Sequence, residues 1–161
     1  MDKGKHNRGM IQPTELRIGN YIQLLTMRDG VHIPMGVNFK LVELHAFSFS
    51  CVRANNNPAQ IEEWLTFSYD FIHPISITEE WLLMGGFIFH DGWYCKDAWS
   101  PGHPSQRFDL YWSKQDGFMT KSRYQEDNHD VFKMRHIKYI HQIQNLYLSL
   151  TGQELKFNIT G

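Results

Sequence analysis

The sequence predicts an α+β fold: a curved antiparallel β-sheet with one short middle helix and one longer C-terminal helix packed on a face. Helical spacing of apolar residues occurs mainly in the last quarter of the chain and in a short stretch after Pro74. Elsewhere, runs of β-formers are separated by turn residues such as Asp91-Gly92 and Asp116-Gly117. Hairpins make a sheet antiparallel, because parallel strands would need crossover helices that this chain does not offer.

The C-terminal helix is the strongest of these patterns, and one of its faces is expected to be buried. The residues expected on the buried face are Ile140, Ile143, Tyr147 and Leu150. Those expected to face outward are His141, Gln142, Gln144, Asn145 and Ser149. Gly152 is expected to end the helix in a left-handed conformation. Leu155, Phe157 and Ile159 then alternate with polar residues, which predicts a closing strand.

The remaining elements follow from local composition. A first strand is expected at 21–25, and the breakers at 28–30 and 34–36 predict a loop after it. Two pleated registers joined by a bulge or a tight bend are expected within 39–53, and a strand is favoured at 66–71. A short helix capped by Ser76 or Thr78 is expected to end at two glycines. Hairpins are then expected around 87–95 and 108–120, and 131–134 leads into the last helix.

Composition excludes several classes of protein. A chain of 161 residues with 42% apolar and 14% aromatic residues can build a core, so disorder is not expected. With 16 Lys and Arg against 17 Asp and Glu, the net charge of -1 disfavours a duplex nucleic-acid surface. No apolar run is long enough to cross a bilayer, so no membrane partner is expected and a cytoplasmic location is predicted. Cys51 and Cys95 are expected to be reduced core residues.

Domain organisation is expected to be simple. Residues 1–11 are polar and predict a flexible N-terminal arm, and residues 12–161 predict a single α+β domain with an aromatic and basic extension at about 92–129.

Three stretches resemble a known group of sequences: ELRIGN from Glu15, ISITEEWLLMGGF from Ile75, and KYIHQIQNLYLSLTGQEL from Lys138. They are similar to a family of small uncharacterised proteins encoded by bacteriophages and mobile elements of gut bacteria. The resemblance implies a phage accessory protein that acts in the cytoplasm of the infected bacterial cell against host defence, for example by sequestering a nucleotide-derived immune signal. It assigns no catalytic residue, and this chain departs from shorter members by its extended middle.

The middle segment combines flat rings with cations, which is the composition that a nucleotide site needs. The residues predicted to bind a ligand are Trp99, His103, Arg107, Tyr111, Trp112, Arg123 and Tyr124. Strand alternation predicts that Phe108, Leu110 and Trp112 face the core, whereas Arg107, Asp109 and Tyr111 face outward or into a cleft. The alternative interpretation is that the rings form cross-strand core pairs and that the cations are solvated.

Catalytic and metal signals are weak. His136 and His141 lie about 140° apart around a helix and cannot share a metal ion. His90-Asp91 and His129-Asp130 are adjacent pairs without a third ligand at suitable spacing. We therefore predict a non-enzymatic binder of a small nucleotide-like ligand, without cofactor or metal, that forms a homo-oligomer. Two alternatives stay open: a protein-interaction module that inhibits a host enzyme, and a phosphodiester hydrolase using His90, His103 or His129 with a neighbouring Asp.

Overall fold

The described residues form two antiparallel sheets of five strands each. The computed structural model describes residues 11–54, 63–100, 103–122 and 131–159, with the backbone alone for 99–100 and 103–107. The described residues form two compact units, one up to Ile75 and one from Ser76 onward, and each unit holds one sheet. The predicted α+β antiparallel class is confirmed, and its strands are divided between two sheets rather than joined in one.

The first sheet is strongly coiled. Its strands are β1 (Tyr21–Arg28), β2 (Val31–Leu44), β3 (Ser48–Arg53), β4 (Leu65–Ser68) and β5 (Ile72–His73), in the order β4-β3-β2-β1-β5. A 3₁₀ turn, Tyr69–Phe71, connects the two edge strands. Four residue steps span at most about 14 Å, whereas the edges of a flat five-stranded sheet lie about 19 Å apart. The sheet therefore curls, as predicted, although it is not closed into a barrel.

One face of the first sheet carries the core of that unit. Phe49, Leu41 and Ile22 are fully buried there, and the Phe49 ring lies 5.7 Å from the Tyr69 ring. The two registers predicted within 39–53 are β2 and β3, with a bulge in β2 between Leu41 and Glu43. The strand favoured at 66–71 is only partly correct, because β4 gives way to the 3₁₀ turn at Tyr69.

The loop predicted at 28–36 is wrong, because these residues form a β-hairpin. Asp29 and Gly30 both have positive φ, 51° and 76°, and make a two-residue turn between β1 and β2. Pro34 lies opposite Leu25 in the paired part of the hairpin, and Gly36 lies in an irregular stretch of β2 with φ 71°. Gly30, Pro34 and Gly36 therefore each occupy a position that a two-stranded hairpin tolerates.

The second sheet is a simple meander. Its strands are β6 (Ile88–His90), β7 (Trp93–Ser100), β8 (His103–Ser113), β9 (Gly117–Ser122) and β10 (Val131–Lys133), in the order β10-β9-β8-β7-β6. Both predicted hairpins are confirmed. Asp91 and Gly92 form the first turn with φ of 49° and 84°, and Gly117, at φ 76°, follows the second.

The two helices belong to the second unit. Helix α1 (Glu79–Met84) is capped as predicted by Thr78, whose hydroxyl oxygen accepts from the Trp81 amide at 3.3 Å. Helix α2 (Ile140–Thr151) ends at Gly152, which has φ 69° and donates its N–H to the Leu148 carbonyl. Among the described residues, no helix is both long enough and apolar enough to cross a membrane.

The buried face of α2 is wider than predicted and is rotated. Ile140 and Ile143 are buried as expected, but His141 and Gln144 are also buried, at 0% and 1% exposure. At 100° per residue, the centre of the buried arc lies about 60° from the predicted one, toward His141. The prediction that His141 and Gln144 face outward is therefore wrong. The His141 ring stacks on Tyr139 at 5.8 Å between centroids.

The segment after α2 alternates in burial but is not a strand. Leu155, Phe157 and Ile159 are buried, as the alternation predicts. The Phe157 ring packs edge-on against Trp81 at 5.1 Å, and the Asn158 amide donates to the Met84 carbonyl at 3.0 Å. The predicted closing strand is wrong, because this segment packs against α1 in an extended form without a strand ladder.

Candidate functional site

The two faces of the second sheet differ in character. One face packs on the helices: the Tyr94 hydroxyl donates to Glu79 of α1 at 3.0 Å, and the Lys96 ammonium lies 5.6 Å from the Tyr147 ring of α2. The strand register places the neighbouring residues on the other face. We call the part of it on β7, β8 and β9 the polar face; its described side chains are Trp93, Cys95, Asp97, Asp109, Tyr111, Ser113, Met119 and Lys121. The edge strands add Ile88, His90, Val131 and Lys133 to the same side of the sheet.

Two aromatic rings stand on the polar face at right angles. The Trp93 and Tyr111 centroids are 6.4 Å apart with an interplanar angle of 90°, and both side chains are half-buried. The Tyr111 hydroxyl donates to an Asp109 carboxylate oxygen at 3.3 Å. Asp109 pairs in register with Lys121 on one side and Asp97 on the other. Rings, a cation and carboxylates therefore share one small area.

Electrostatics at the centre of this face are dominated by acids. Burial, and then the carboxylates of Asp109, Asp97 and Asp91, raise the pKa of Cys95. A raised thiol pKa means that the negative thiolate is disfavoured there. The polar face therefore tolerates additional negative charge poorly around Cys95.

The predicted ligand residues are only partly brought together. Tyr111 lies on the polar face, whereas Trp112 lies on the helix-packed face, where its ring is 5.9 Å from Tyr94. These two side chains leave the strand on opposite faces and cannot line one hollow. Trp99 and Arg107 occupy directly opposed register positions on β7 and β8, and the backbone of His103 pairs with that of Ser100. Arg123 and Tyr124 lie outside the described residues.

Strand alternation in β8 is largely as predicted. Leu110 is fully buried on the helix-packed side, and Phe108 and Trp112 are half-buried there. Asp109, which was predicted to face outward or into a cleft, lies on the face opposite Leu110 and is only 4% exposed. Its burial is explained by the Tyr111 hydroxyl that it accepts from and by the strands on both sides of it.

The histidine pairs considered as catalytic or metal sites are poorly placed. His90 Nε2 lies 3.1 Å from Asp91 Oδ2, but the two side chains are 77% and 85% exposed at a hairpin turn. Water therefore competes for both groups. The side chain of His103 is not described, and His129 lies outside the described residues. Within the part of the chain that the structure describes, no three His, Cys, Asp or Glu side chains are grouped as metal ligands.

A serine, a glutamate and a histidine lie close together in the first sheet. The sequence did not predict this cluster. Ser50 donates to Glu43 Oε2 at 3.1 Å, and the same oxygen lies 3.3 Å from His45 Nε2. In a catalytic triad the imidazole stands between hydroxyl and carboxylate, and here the carboxylate does. Ser50 is also 3% exposed. The cluster therefore links β2 and β3 and lacks the order needed to activate the hydroxyl.

Comparison with known proteins adds no assignment. The chain matches no protein-family model, no curated protein and no solved structure.

Proposed function

We propose that this chain is a non-enzymatic binding protein that holds a small nucleotide-like ligand on the polar face of its second sheet. The observation that carries the proposal is the perpendicular, half-buried pair of Trp93 and Tyr111. A ring left partly open on a sheet can stack on a base, and such stacking contributes about 1–3 kcal/mol per base.

Polar groups beside the rings suit the rest of a nucleotide. Lys121 is half-buried next to Asp109 in the register and supplies an ammonium group for a phosphate. Asp97, which is exposed and lies opposite Asp109 in the register, presents carboxylate oxygens, which accept from the exocyclic amine of a base. Rings with a few fixed polar groups are the usual composition of a small-molecule site.

The negative charge at the centre of the polar face limits how much negative charge a ligand can carry. Burial, and then the carboxylates of Asp109, Asp97 and Asp91, raise the pKa of Cys95, and the field of these carboxylates repels phosphate. Lys121 is the lysine of the described polar face that lies next to these acids. We therefore expect a nucleoside or a nucleotide with one phosphate group per base, such as a cyclic mononucleotide or dinucleotide, in preference to a triphosphate.

The biological setting of the proposal comes from the resemblance to phage and mobile-element proteins. A phage accessory protein that captures a nucleotide-derived signal and leaves its bonds intact would counter host defence by sequestration. Binding without conversion is compatible with the exposed state of the His90-Asp91 pair.

Calorimetric titration against cyclic mononucleotides, cyclic dinucleotides and ADP-ribose tests the proposal, with chromatography to verify that the ligand is recovered intact. Tyr111→Leu is expected to weaken binding about tenfold, which is within the stacking range. Lys121→Gln is expected to weaken binding of phosphate-bearing ligands, whereas Lys114→Gln, on the exposed β8–β9 turn, serves as the matched control. Absence of binding across the panel, or equal effects of the two lysine changes, would contradict the proposal.

A second candidate, a protein-interaction module that inhibits a host enzyme, is favoured by the edges of the same sheet. Ile88 and Phe89 on β6 are 72% and 57% exposed, and Val131 and Phe132 on β10 are 54% and 53% exposed. Apolar edge strands accept a strand from another protein. Capture of one stoichiometric host enzyme that loses activity, and its release by Phe89→Asp or Phe132→Asp but not by Ile18→Asp, would favour this candidate over ligand binding.

A further inference from the structure

A cation and two carboxylates lie in one row across three strands of the polar face. Lys121 on β9 is directly opposite Asp109 on β8, and Asp109 is directly opposite Asp97 on β7. Neighbouring strands are about 4.8 Å apart, so the row spans about 10 Å from the strand of Lys121 to the strand of Asp97. The positive end and the outer negative end of the row therefore stand on opposite sides of Asp109.

The Tyr111 ring lies beside the middle of this row. Its hydroxyl donates to Asp109 Oδ2 at 3.3 Å, so the ring runs along β8 and ends at the carboxylate. The Trp93 ring stands at right angles to it with 6.4 Å between centroids, and both side chains are half-buried. A base that stacks on Tyr111 therefore lies between the cationic end and the outer carboxylate of the row.

Asp97 is the carboxylate that such a base can reach. Asp109 is 4% exposed and already accepts from Tyr111, whereas Asp97 is exposed to solvent. Tyr111 pairs with Cys95, so Asp97 is its diagonal neighbour across the strands, and diagonal neighbours are about 7–8 Å apart. This separation places the Asp97 carboxylate at the edge of a stacked base rather than under its face.

A carboxylate at the edge of a base distinguishes guanine from adenine. An ionised carboxylate has two acceptor oxygens and no donor. The Watson–Crick edge of guanine presents two neighbouring donors, the ring N–H and the exocyclic amine, so each oxygen accepts one hydrogen bond. Adenine presents its amine beside a ring nitrogen that is an acceptor, and this nitrogen repels the second oxygen. Bidentate pairing with an ionised group is among the stronger kinds of hydrogen bonding in proteins.

We propose that the polar face selects guanine, with Asp97 accepting both hydrogen bonds from a guanine stacked on Tyr111 and Lys121 binding the phosphate. The inference rests on the proposed function and adds the identity of the base. A guanine nucleotide is about as long, from its Watson–Crick edge to its phosphate, as the row from Asp97 to Lys121. Asp109 acts as a positioning residue, because it holds the Tyr111 hydroxyl.

Calorimetric titration of the full chain with cyclic GMP, cyclic IMP and cyclic AMP tests the inference. Cyclic IMP differs from cyclic GMP only in lacking the exocyclic amine. We expect cyclic GMP to bind about tenfold more tightly than cyclic AMP, which is within the range of one bidentate pair, and cyclic IMP to lie between them.

Asp97→Asn provides a sharper test, because the amide has one acceptor and one donor. This pattern matches adenine, and it places the amide N–H groups against the amine of guanine. We expect the ratio of cyclic GMP affinity to cyclic AMP affinity to fall about tenfold or more. The ratio is the readout because the change in net charge affects both nucleotides alike.

Two further variants serve as controls. Asp97→Glu keeps both acceptor oxygens and is expected to retain a preference for cyclic GMP. Asp29→Asn makes the same change in charge on the exposed turn of the first unit and is expected to leave the ratio unchanged. Circular dichroism of each variant verifies that the fold is retained.

Equal binding of cyclic GMP and cyclic AMP, or an Asp97→Asn variant that keeps the ratio of the wild type, would overturn the inference and leave the proposed function in place. Binding of none of the three nucleotides would also overturn the inference. Cyclic dinucleotides and ADP-ribose would then decide separately whether the proposed function holds.

Discussion

Replacing Asp97 with Asn is expected to make the Cys95 thiol more reactive. The two residues lie two positions apart on β7, so their side chains point to the same face about 7 Å apart. At the dielectric constant of water, a unit charge at that distance contributes about 0.6 kcal/mol. Because Asp97 is exposed to solvent, the interaction energy calculated for water, which is the smallest value, is the appropriate one. Removing the charge stabilises the thiolate and raises its population about threefold at a pH below the pKa.

The assay is alkylation of the folded chain with iodoacetamide, with the Cys95 peptide quantified by mass spectrometry. A thiol of lower pKa is intrinsically less nucleophilic, so the expected increase in rate is about twofold rather than threefold. Asp29→Asn, in the first unit, controls for the change in net charge, and high salt should reduce the difference. An unchanged or slower rate in Asp97→Asn would mean that the Asp97 carboxylate does not raise the pKa of Cys95, and this would remove its support for a ligand of low charge.

Three further predictions concern the folded state. Burial raises the pKa of Cys51 to about 11 from 9.0, so its thiolate at pH 8 is about a hundredfold scarcer, and alkylation of Cys51 should follow unfolding of the first unit. Gly152→Ala should cost about 1 kcal/mol in urea unfolding, because φ is 69° and no atom lies within 4 Å of the added methyl group, and Gly152→Asn should cost less. Burial lowers the pKa of His73, so the unfolded chain binds more protons; the free energy of unfolding should fall as pH drops below about 6.5, and His73→Gln should flatten this dependence between pH 5 and pH 7.

Local chemistry explains which elements were predictable. The turn at Asp91-Gly92 and the cap at Thr78 depend on two to four neighbouring residues, and both are confirmed. The hairpin at 28–36 was missed because Gly30, Pro34 and Gly36 were interpreted together as breakers. In the structure, Gly30 forms part of the turn, and Gly36 has a positive φ within β2. Pro34 lies at a strand edge where no backbone N–H is needed as a hydrogen-bond donor.

Long-range packing explains the features of the structure that the alternation of residues along the chain could not predict. Alternation correctly separates Tyr111 from Leu110, but it does not tell which polar residue is enclosed by its neighbours, as Asp109 is. Grouping Tyr111 with Trp112 contradicted the same alternation, because adjacent strand residues occupy opposite faces. The burial of His141 depends on contacts to elements distant in sequence, and its polarity alone predicts the opposite.

The directions in which the pKa values are shifted help to decide whether the protein binds its ligand or catalyses a reaction. Nucleophilic sites lower the pKa of a thiol, whereas burial raises that of both Cys51 and Cys95. Burial does lower the pKa of Lys96, which would favour a reactive amine. Its ammonium, however, lies over the rings of Phe87 and Tyr147 and within 3.5 Å of the Gly86 carbonyl, on the helix-packed face of the sheet. The group best tuned for reaction is therefore engaged between the sheet and the helices, while the polar face presents rings and fixed polar groups, an arrangement that supports binding without conversion.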